Sequence, residues 1–320
     1  GLLLLREVDK RHGLTRQLSG ALNDSRMSSK VRHSLPSMVA QRVYGLAAGY
    51  EDFNDHQQLR FDQILQSAIG RDEALAGKST LSRMERGVDR QSIVEAHRVL
   101  WQQFIDQHDK APEELVLDFD GTDIALHGDQ PDKHFHRYYD HHCYLPLYVF
   151  CGRHLLVSYL RPSYYSDARH SWAILALLVR FIRQHWPDTR IVFRGDAGFY
   201  RPRLLEWCDR NDVDYLVGFS KNNKLINEVK APMAQVRDHY QQSGEKMSGV
   251  YRFEYQARSW KRPRWIVSRL EYGELGANPR FIISSRYDDG IKLYYERYCA
   301  RGEMENRIKD QQLDLFADRA

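Results

Sequence analysis

The order of strand and helix patterns between residues 114 and 219 constrains the fold of this chain more than any other feature. Short apolar runs predict strands, and apolar residues at three- and four-residue steps predict helices. The resulting order is strand, strand, strand, helix, strand, helix, strand, at residues 115–120, 144–150, 154–160, 171–184, 190–194, 202–210 and 214–219. We therefore expect a domain of the α/β class.

Three meandering strands followed by β-α units is the order of an RNase H-like core. The residues before it, 1–110, show helical periodicity, and Pro112 marks the boundary. Within that region Ser79 is expected to cap a helix over residues 80–85. Residues 220–285 carry less regular strand patterns in which basic and aromatic residues alternate, and residues 291–316 again read as helix.

Composition excludes several classes of protein. No apolar run approaches the ~20 residues of a bilayer span, and the chain shows no signal peptide, so we expect a cytoplasmic protein without a membrane segment. The four cysteines lie far apart, which argues against a disulfide framework and an all-cysteine zinc site. The net charge of +4 is compatible with nucleic acid as a partner. The apolar start and the abrupt end indicate an internal fragment.

Three carboxylates fall on three separate elements. Asp120 ends the first strand, Asp196 ends the fourth, and Glu305 lies on the late helix. The first and fourth strands of an RNase H-like sheet are neighbours, so Asp120 and Asp196 should lie side by side, with the helix bringing Glu305 to them. Crowded carboxylates repel, and divalent cations such as Mg²⁺ prefer oxygen ligands. We predict a site for two metal ions, bridged by Asp120, of the kind that cleaves phosphodiesters.

Other residues compete for these roles. Asp118 and Asp123 are alternatives to Asp120 for the first carboxylate. Asp118 lies two residues before Asp120, so both side chains point to the same face of the strand. The histidines between residues 127 and 142, with Cys143, suggest zinc, but their irregular spacing favours exposed histidines near phosphates.

Around Asp120, Asp196 and Glu305 the sequence resembles the IS1380 family of insertion-sequence transposases, within the IS4-like DDE group. The most specific blocks are CYLPLY at 143–148, RGDAGF at 194–199 and ENRIK at 305–309. Further similar blocks are GLLLLRE at 1–7, QRVY at 41–44, GYED at 49–52, LDFDGTD at 117–123 and HG at 127–128. The Asp-Gly-Thr step at Asp120 matches the family's Asp-x-Thr, which favours Asp120 over Asp118.

The resemblance implies a domain organisation and a chemistry. A helical N-terminal region that contacts DNA would span residues 1–112, and an RNase H-like catalytic core would span 113–219 and 286–320. A β-rich insertion would occupy residues 220–285. Two Mg²⁺ or Mn²⁺ ions would be held by Asp120, Asp196 and Glu305. The partners would be double-stranded DNA, as terminal inverted repeats and target, and a second copy of the chain in a homodimer in the bacterial nucleoid.

The IS4-like signature Tyr-x2-Arg-x3-Glu-x6-Lys matches at Tyr298, Arg301 and Glu305, but its lysine position holds Gln312. Lys309 lies one turn after Glu305 and shares its helix face. We predict DNA contacts from Tyr298, Arg301, Lys309, Lys261 and Arg262. An ion pair of Arg301 with Glu305, a packed Tyr298 and a solvated basic surface remain the alternatives. A further hypothesis is that Trp260 or Trp265 inserts as a wedge beside a flipped base at the transposon end.

Two main functions follow for the chain. The first is a DDE transposase that cleaves DNA at insertion-sequence ends and transfers the strand. The second is a truncated, catalytically inactive DNA-binding remnant of such an element. A zinc-dependent regulator that uses the histidine cluster is a third hypothesis, which requires metal at His134, His136 or Cys143.

Overall fold

The computed structural model describes residues 1–318, which divide into two compact units. The first comprises residues 1–109 with the chain from residue 308 onward, and the second comprises residues 110–307. Within residues 1–318, no helix has both the length and the apolar character of a membrane span.

The first unit is helical, as the periodicity predicts. Its helices are α1 (Leu2–His12), α2 (Leu14–Ala21), α3 (Leu35–Ala47), α4 (His56–Leu59), α5 (Gln63–Ile69), α6 (Lys78–Arg86) and α7 (Arg90–Asp106). Aspartate side chains set two of the helix starts: Asp62 accepts the Leu65 N–H and Asp89 accepts the Ser92 N–H, both at 2.7 Å. Apolar side chains from these helices form the core of the unit, including Met38, Tyr44, Leu65, Leu75 and Leu81.

The expected cap at Ser79 is wrong. Gly77 occupies the N-cap position of α6, with no side-chain cap, and Ser79 lies inside the helix. The buried Gln41 side chain holds the backbone just before the helix. Gln41 accepts the Ala76 N–H at 3.1 Å and donates to the Ala76 carbonyl at 2.8 Å.

The second unit is built on a nine-stranded sheet. The strands of the unit are β1 (Glu114–Gly121), β2 (Ile124–Ala125), β3 (His134–His136), β4 (His141–Tyr144), β5 (Leu147–Cys151), β6 (His154–Tyr159), β7 (Arg190–Gly195), β8 (Asp214–Phe219), β9 (Ser248–Tyr255), β10 (Arg264–Gly273), β11 (Gly276–Ala277) and β12 (Arg280–Ser284). The order across the main sheet is β11-β10-β12-β8-β7-β1-β5-β6, with β9 also paired to β10.

The middle of this sheet matches the order expected from the sequence. Strands β1, β5 and β6 form an antiparallel meander, while β7 and β8 run parallel to β1. Helices α8 (Ser171–His185) and α9 (Pro202–Arg210) provide the two crossovers. This mixed α/β arrangement is compatible with an RNase H-like core.

Buried side chains on β1 and β7 hold these two strands in register. Leu117, Phe119 and Phe193 have no solvent exposure, and the rings of Phe119 and Phe193 lie 4.9 Å apart. Burying each such side chain contributes about 1.5–3 kcal/mol to folding. The paired strand ends therefore form a rigid base for polar residues that follow them.

Residues 220–285 continue the main sheet. Helices α10 (Asn223–Glu228) and α11 (Lys230–Ser243) come first, and strands β9 to β12 follow. Strand β12 pairs antiparallel with β8, with Ile282 opposite Gly218. The segment is thus part β and part helix, and it belongs to the same compact unit as β1 and β7.

The late helical segment is irregular where the sequence predicts one continuous helix. Residues Lys292–Tyr298 form π-helical turns, Cys299–Arg301 form a 3-10 turn, and α12 covers Gly302–Leu315. Leu293 and Tyr294 anchor the π-helical part in a core cluster with Leu216 and Val267. A change in helix type alters the direction of the side chains that follow, and such changes are frequent at functional sites.

Candidate active site

Asp120, near the end of β1, and Asp196, directly after β7, lie side by side. Strands β1 and β7 pair in parallel as far as Phe119 opposite Gly195, and Asp120 and Asp196 are the next residues along the chain from each. The expectation that the first and fourth predicted strands are neighbours is therefore confirmed. Burial raises the pKa of Asp120 to about 6, Arg301 opposes that shift, and the charge of Asp196 adds to it.

Asp196 also shapes the turn that follows β7. Its Oδ1 accepts the Gly198 N–H at 2.9 Å and caps the short 3-10 turn Ala197–Phe199. The pKa of Asp196 is raised by burial, lowered by Arg301 and raised again by the charge of Asp167. Asp120 and Asp196 are thus two partly buried carboxylates, and the charge of Asp196 disfavours the ionised form of Asp120.

Asp118, the main competitor of Asp120, is part of a buried ion pair. Asp118 lies directly opposite Arg194 in the β1–β7 register, and both are less than 10% exposed. Arg194 donates to both carboxylate oxygens, with Nη2 2.7 Å from Oδ2. Arg194 also donates to the carbonyl of Arg297, in the π-helical segment. These contacts tie two strands and the late helix together.

Arg301 is the cation of the site. Its Nη1 lies 2.6 Å from Asp120 Oδ2, and its Nη2 lies 3.2 Å from Glu305 Oε1. Burial opposes the charged form of Arg301, but Asp120, Asp196 and Glu305 outweigh that effect and raise its pKa. The predicted alternative, an ion pair with Glu305, is present, and it is joined by a closer one with Asp120.

The other predicted residues of the late helix, Glu305, Tyr298 and Lys309, differ in their contacts. The Glu305 side chain is 54% exposed, so it is a peripheral member of the site in this conformation. Tyr298 packs against the core cluster that contains Leu216, and burial raises its pKa. Lys309 lies on α12 one turn beyond Glu305.

Asp167 is a neighbour of Asp196 that the sequence patterns do not indicate. The point where a Cβ on Gly198 would lie is 2.6 Å from Asp167 Oδ2 and 3.0 Å from Asp196 Oδ1. Both oxygens therefore lie near the same small space beside the Gly198 backbone, which only glycine leaves open. Asp167 comes from the loop between β6 and α8, where no periodicity or motif marks it.

A buried arginine holds the loop of Asp167 in place. Arg161 is 2% exposed, and its Nη1 donates to the carbonyls of Asp167 at 2.9 Å and Arg169 at 2.7 Å. Its Nε donates to the Leu145 carbonyl at 2.6 Å. A fixed guanidinium that binds several carbonyls gives the loop a defined shape, which determines where the Asp167 carboxylate lies.

Four of the histidines, at positions 134, 136, 141 and 142, lie in a small separate sheet of order β2-β4-β3, and Asp123 comes directly before β2. Asp123 Oδ2 lies 2.7 Å from His141 Nε2, so Asp123 has a partner other than the Asp120 site. Within residues 1–318, no group of three or more His, Cys, Asp or Glu side chains is already arranged around a common metal position. At Asp120 the Arg301 guanidinium lies between Asp120 and Glu305.

The two predicted basic residues near residue 260 are engaged with helix α9. Lys261 Nζ lies 3.2 Å from Glu206 Oε2, and Arg262 Nε lies 3.2 Å from Asp209 Oδ2. Both side chains remain more than half exposed. The Lys261 side chain is 81% exposed and its ion pair is of the weak surface kind, about 0–1 kcal/mol, so Lys261 can exchange Glu206 for a phosphate, whereas Arg262 pairs with the mostly buried Asp209.

Trp260 does not fit the wedge hypothesis. It is 4% exposed, its Nε1 donates to the Tyr200 hydroxyl at 2.6 Å, and its ring packs near Phe219 and Tyr255. A buried, hydrogen-bonded indole is not available to a DNA base, so the hypothesis is wrong for Trp260. Trp265 lies 4.6 Å from the ring of Tyr287 and is only half-buried.

Comparison with known families identifies the class that this fold and site define. A family model described as transposase DDE domain group 1 matches residues 1–320, the whole chain, and the protein belongs to that family. The chain is therefore a transposase by family, with DNA as the substrate class that the family suggests. The search of curated proteins gave no match.

Proposed function

We propose that this protein is a DDE transposase of the IS1380 type, which cleaves DNA at the ends of an insertion sequence and transfers the freed strand. The observation that supports this most is the pairing of Asp120 and Asp196 at the ends of adjacent parallel strands. Arg301 and Glu305 from the late helix add a cation and a third carboxylate to the same place. Membership of the transposase family agrees with this arrangement.

The donor set fits divalent metal ions. Asp120, Asp196 and Glu305 offer carboxylate oxygens, the ligands that Mg²⁺ and Mn²⁺ prefer. The charges of Asp196 and Glu305 raise the pKa of Asp120, so this group of carboxylates carries repulsion that a cation relieves. Arg301 supplies positive charge between Asp120 and Glu305 in the present conformation. Metal binding would therefore require Arg301 to turn away from Asp120.

Each residue then has a separable task. Asp120 would be shared by two ions, Asp196 would hold one and Glu305 the other. The ions, when bound, would activate the attacking oxygen and stabilise the leaving oxygen of the phosphodiester. The ion pair between Asp118 and Arg194 keeps the ends of β1 and β7 aligned. Arg301, once released from Asp120, is placed to bind a DNA phosphate through its guanidinium fork.

The remaining predicted contacts complete the proposal. Tyr298 and Lys309 would contact the DNA end, and Lys261 and Arg262 would contact the backbone further away. The substrates would be the terminal inverted repeats and target DNA, bound by a homodimer in the bacterial nucleoid. Residues 1–112 would contribute DNA contacts of their own. A catalytically inactive, DNA-binding remnant is the alternative, which binds the same DNA without cutting it.

Metal-dependent cleavage tests the proposed function. The protein is incubated with DNA that carries the ends of the parent element, with Mg²⁺, with Mn²⁺ or with EDTA. We expect strand cleavage at the element ends with either metal and none with EDTA. Glu305→Gln is expected to abolish cleavage while it leaves binding of the same DNA, measured by gel shift, intact.

The outcomes separate the two candidate functions. Binding of the ends without cleavage under any metal condition supports the inactive remnant. Cleavage that persists in EDTA contradicts the metal-dependent mechanism. Cleavage by Glu305→Gln at the rate of the unchanged protein contradicts the assignment of the third carboxylate.

Asp167 leads to a separate prediction about metal affinity. Its Oδ2 lies close to Asp196 Oδ1, so its negative charge should strengthen cation binding at Asp196. We expect Asp167→Asn to weaken Mn²⁺ binding about 10-fold, the lower end of effects for groups that support metal ligands. Titration followed by the electron paramagnetic resonance of free Mn²⁺ measures this without DNA or activity.

Asp188→Asn is the matched control, because Asp188 is an exposed aspartate in the turn before β7. It removes the same charge from the same unit, and Mn²⁺ affinity should not change. Equal weakening by Asp167→Asn and Asp188→Asn would show that only net charge matters. An unchanged affinity in Asp167→Asn would show that Asp167 has no part in cation binding.

A further inference from the structure

A basic cleft in the helical unit has no role in the chemistry described above. The cleft has a volume of about 600 Å³ and lies wholly within residues 22–88. The basic side chains that line it are Arg26, Lys30, Arg32, Arg60 and Arg83, and the acidic one is Asp24. Asp24 is already paired with Arg26 at 2.7 Å, so the other cations in the cleft have no lining carboxylate left to pair with.

The electrostatics of His33 agree with a positive cleft. His33 lines the cleft, and its pKa is lowered first by burial and then by the charges of Arg71, Arg32, Arg60 and Arg26. Of these four guanidinium groups, Arg26 is paired with Asp24 and Arg71 with Glu73, whereas Arg32 and Arg60 have no carboxylate left to pair with among the residues that line the cleft. Such a concentration of charge destabilises the free protein and favours binding of an anion.

Two side-chain nitrogens of cleft residues also lack hydrogen-bond partners. Arg60 Nε and His33 Nδ1 are buried atoms without a hydrogen-bond partner in the described part of the chain. Leaving a buried polar atom unpaired costs about 1–3 kcal/mol. An anion with several oxygens would supply acceptors to the exposed basic side chains of the cleft, together with the opposite charge.

Helix α6 lines the cleft along its whole length, from Gly77 to Gly87. At its N-terminal end Gly77, Ser79 and Thr80 line the cleft, and α6 has no side-chain cap there. The Arg60 guanidinium lies close to Gly77, since Nη1 is 3.2 Å from where a Cβ would be. Backbone N–H groups at a helix N-terminus, next to Ser and Thr hydroxyls and an arginine, form a favourable environment for phosphate.

We propose that this cleft binds a phosphate of the DNA backbone, with Arg60 and the N-terminus of α6 holding the phosphate group and Arg32 and Arg83 contacting its neighbours. Arg32 and Arg83 are exposed, so a polymer that crosses the cleft reaches them as well as the interior. This assignment of the ligand as DNA rests on the proposed transposase function. The cleft thereby becomes a second DNA contact, on a different unit from Asp120 and Asp196.

DNA binding by charge-removal variants of the full chain tests the proposal. Fluorescence anisotropy of a labelled 20-base-pair duplex is measured without metal, so that no cleavage occurs, at several salt concentrations. We expect Arg60→Ala and Arg83→Ala each to weaken binding about 10-fold, as removal of a charge-assisted hydrogen bond does. The slope of log affinity against log salt should fall by about 1 for each phosphate that the variant no longer neutralises.

Arg86→Ala is the matched control, because Arg86 is exposed on the same helix and does not line the cleft. It should leave both affinity and salt slope almost unchanged. Circular dichroism melting shows whether each variant is folded, and Arg83 is exposed enough that its variant should melt as the unchanged protein does.

The outcomes keep this proposal distinct from the proposed function. Unchanged affinity and salt slope in Arg83→Ala and Arg60→Ala overturn the cleft, even if metal-dependent cleavage is observed. A selective loss of DNA affinity in these variants supports the cleft, even if the protein never cuts DNA. Stabilisation by ATP or inorganic phosphate that depends on Arg60, with DNA affinity unaffected, assigns the cleft to a free phosphate compound and overturns the DNA contact.

Discussion

Asp120→Asn should lower the rate of metal-dependent DNA cleavage by roughly 1,000-fold or more without loss of folding stability. The rate falls because an amide loses the charge that offsets the metal ions, and metal electrostatics contributes several kcal/mol to such reactions. Stability is retained because burial raises the pKa of Asp120 to about 6, so its ionised form opposes folding at pH 7. A neutral side chain of the same shape removes that opposition.

Asp118→Asn, two residues earlier on the same strand, should have the opposite profile. Burial raises the pKa of Asp118 as well, but its partner Arg194 is itself only 8% exposed, and removing one partner of a buried ion pair costs about 3–5 kcal/mol. We expect a fall of about 3 kcal/mol in the free energy of unfolding. The fraction of Asp118→Asn that remains folded should cleave DNA, although more slowly, because the strand ends lose their alignment.

Urea unfolding and single-turnover cleavage, measured on both variants, decide between the two aspartates. If Asp120→Asn cleaves at the normal rate while Asp118→Asn is folded and inactive, Asp118 is the first carboxylate of the site. If both variants are folded and inactive, the two carboxylates act together. Loss of stability in Asp120→Asn would show that its pairing with Arg301 outweighs the cost of its burial.

The pairing of Asp120 with Asp196 was predictable from the sequence for a specific physical reason. Apolar runs mark β1 and β7, and consecutive β-α-β units place such strands in parallel pairs. The residue after each run then lies at the same sheet edge. The order of strands and helices therefore carried the information that two distant aspartates meet.

The position of Arg301 between Asp120 and Glu305 was only partly predictable. Helical spacing indicates the pair with Glu305, because residues four apart share a helix face. The contact with Asp120 depends on the π-helical and 3-10 turns before α12, which rotate the side chains relative to a regular helix. Those turns follow from how Leu293 and Tyr294 pack in the core, and sequence periodicity does not show this packing.

Asp167 and Trp260 illustrate contacts that only the tertiary structure reveals. Asp167 reaches Asp196 through a loop whose shape depends on the buried Arg161, so no local pattern marks it. Trp260 lies in a stretch of alternating basic and aromatic residues that resembles a DNA-binding surface. The aromatic cluster with Tyr200 and Phe219 buries it instead, because β12 joins β8 and brings this segment onto the main sheet.

Gly218→Ala should lower the cleavage rate about 100-fold, although Gly218 carries no chemistry itself. A Cβ at this position in β8 would lie 2.6 Å from the Ala197 N and 2.7 Å from the Tyr298 hydroxyl oxygen. The backbone after Asp196 cannot move aside without moving Asp196. A displacement of about 1 Å in a positioned catalytic group costs on the order of 100-fold in rate.

The test of Gly218 compares it with a glycine that also lies in a strand but has room beside it. A Cβ on Gly249, in β9, would meet only the Val236 Cγ2 at 3.5 Å, an ordinary contact. Gly249→Ala should therefore leave cleavage unchanged, while Gly218→Ala also loses about 1–3 kcal/mol of stability from overpacking. Normal cleavage by Gly218→Ala would mean that the turn of Asp196 tolerates displacement. In that case the rigid pairing of β7 and β8 does not set the geometry of the carboxylates, and their positions must depend on the bound metal ions and DNA.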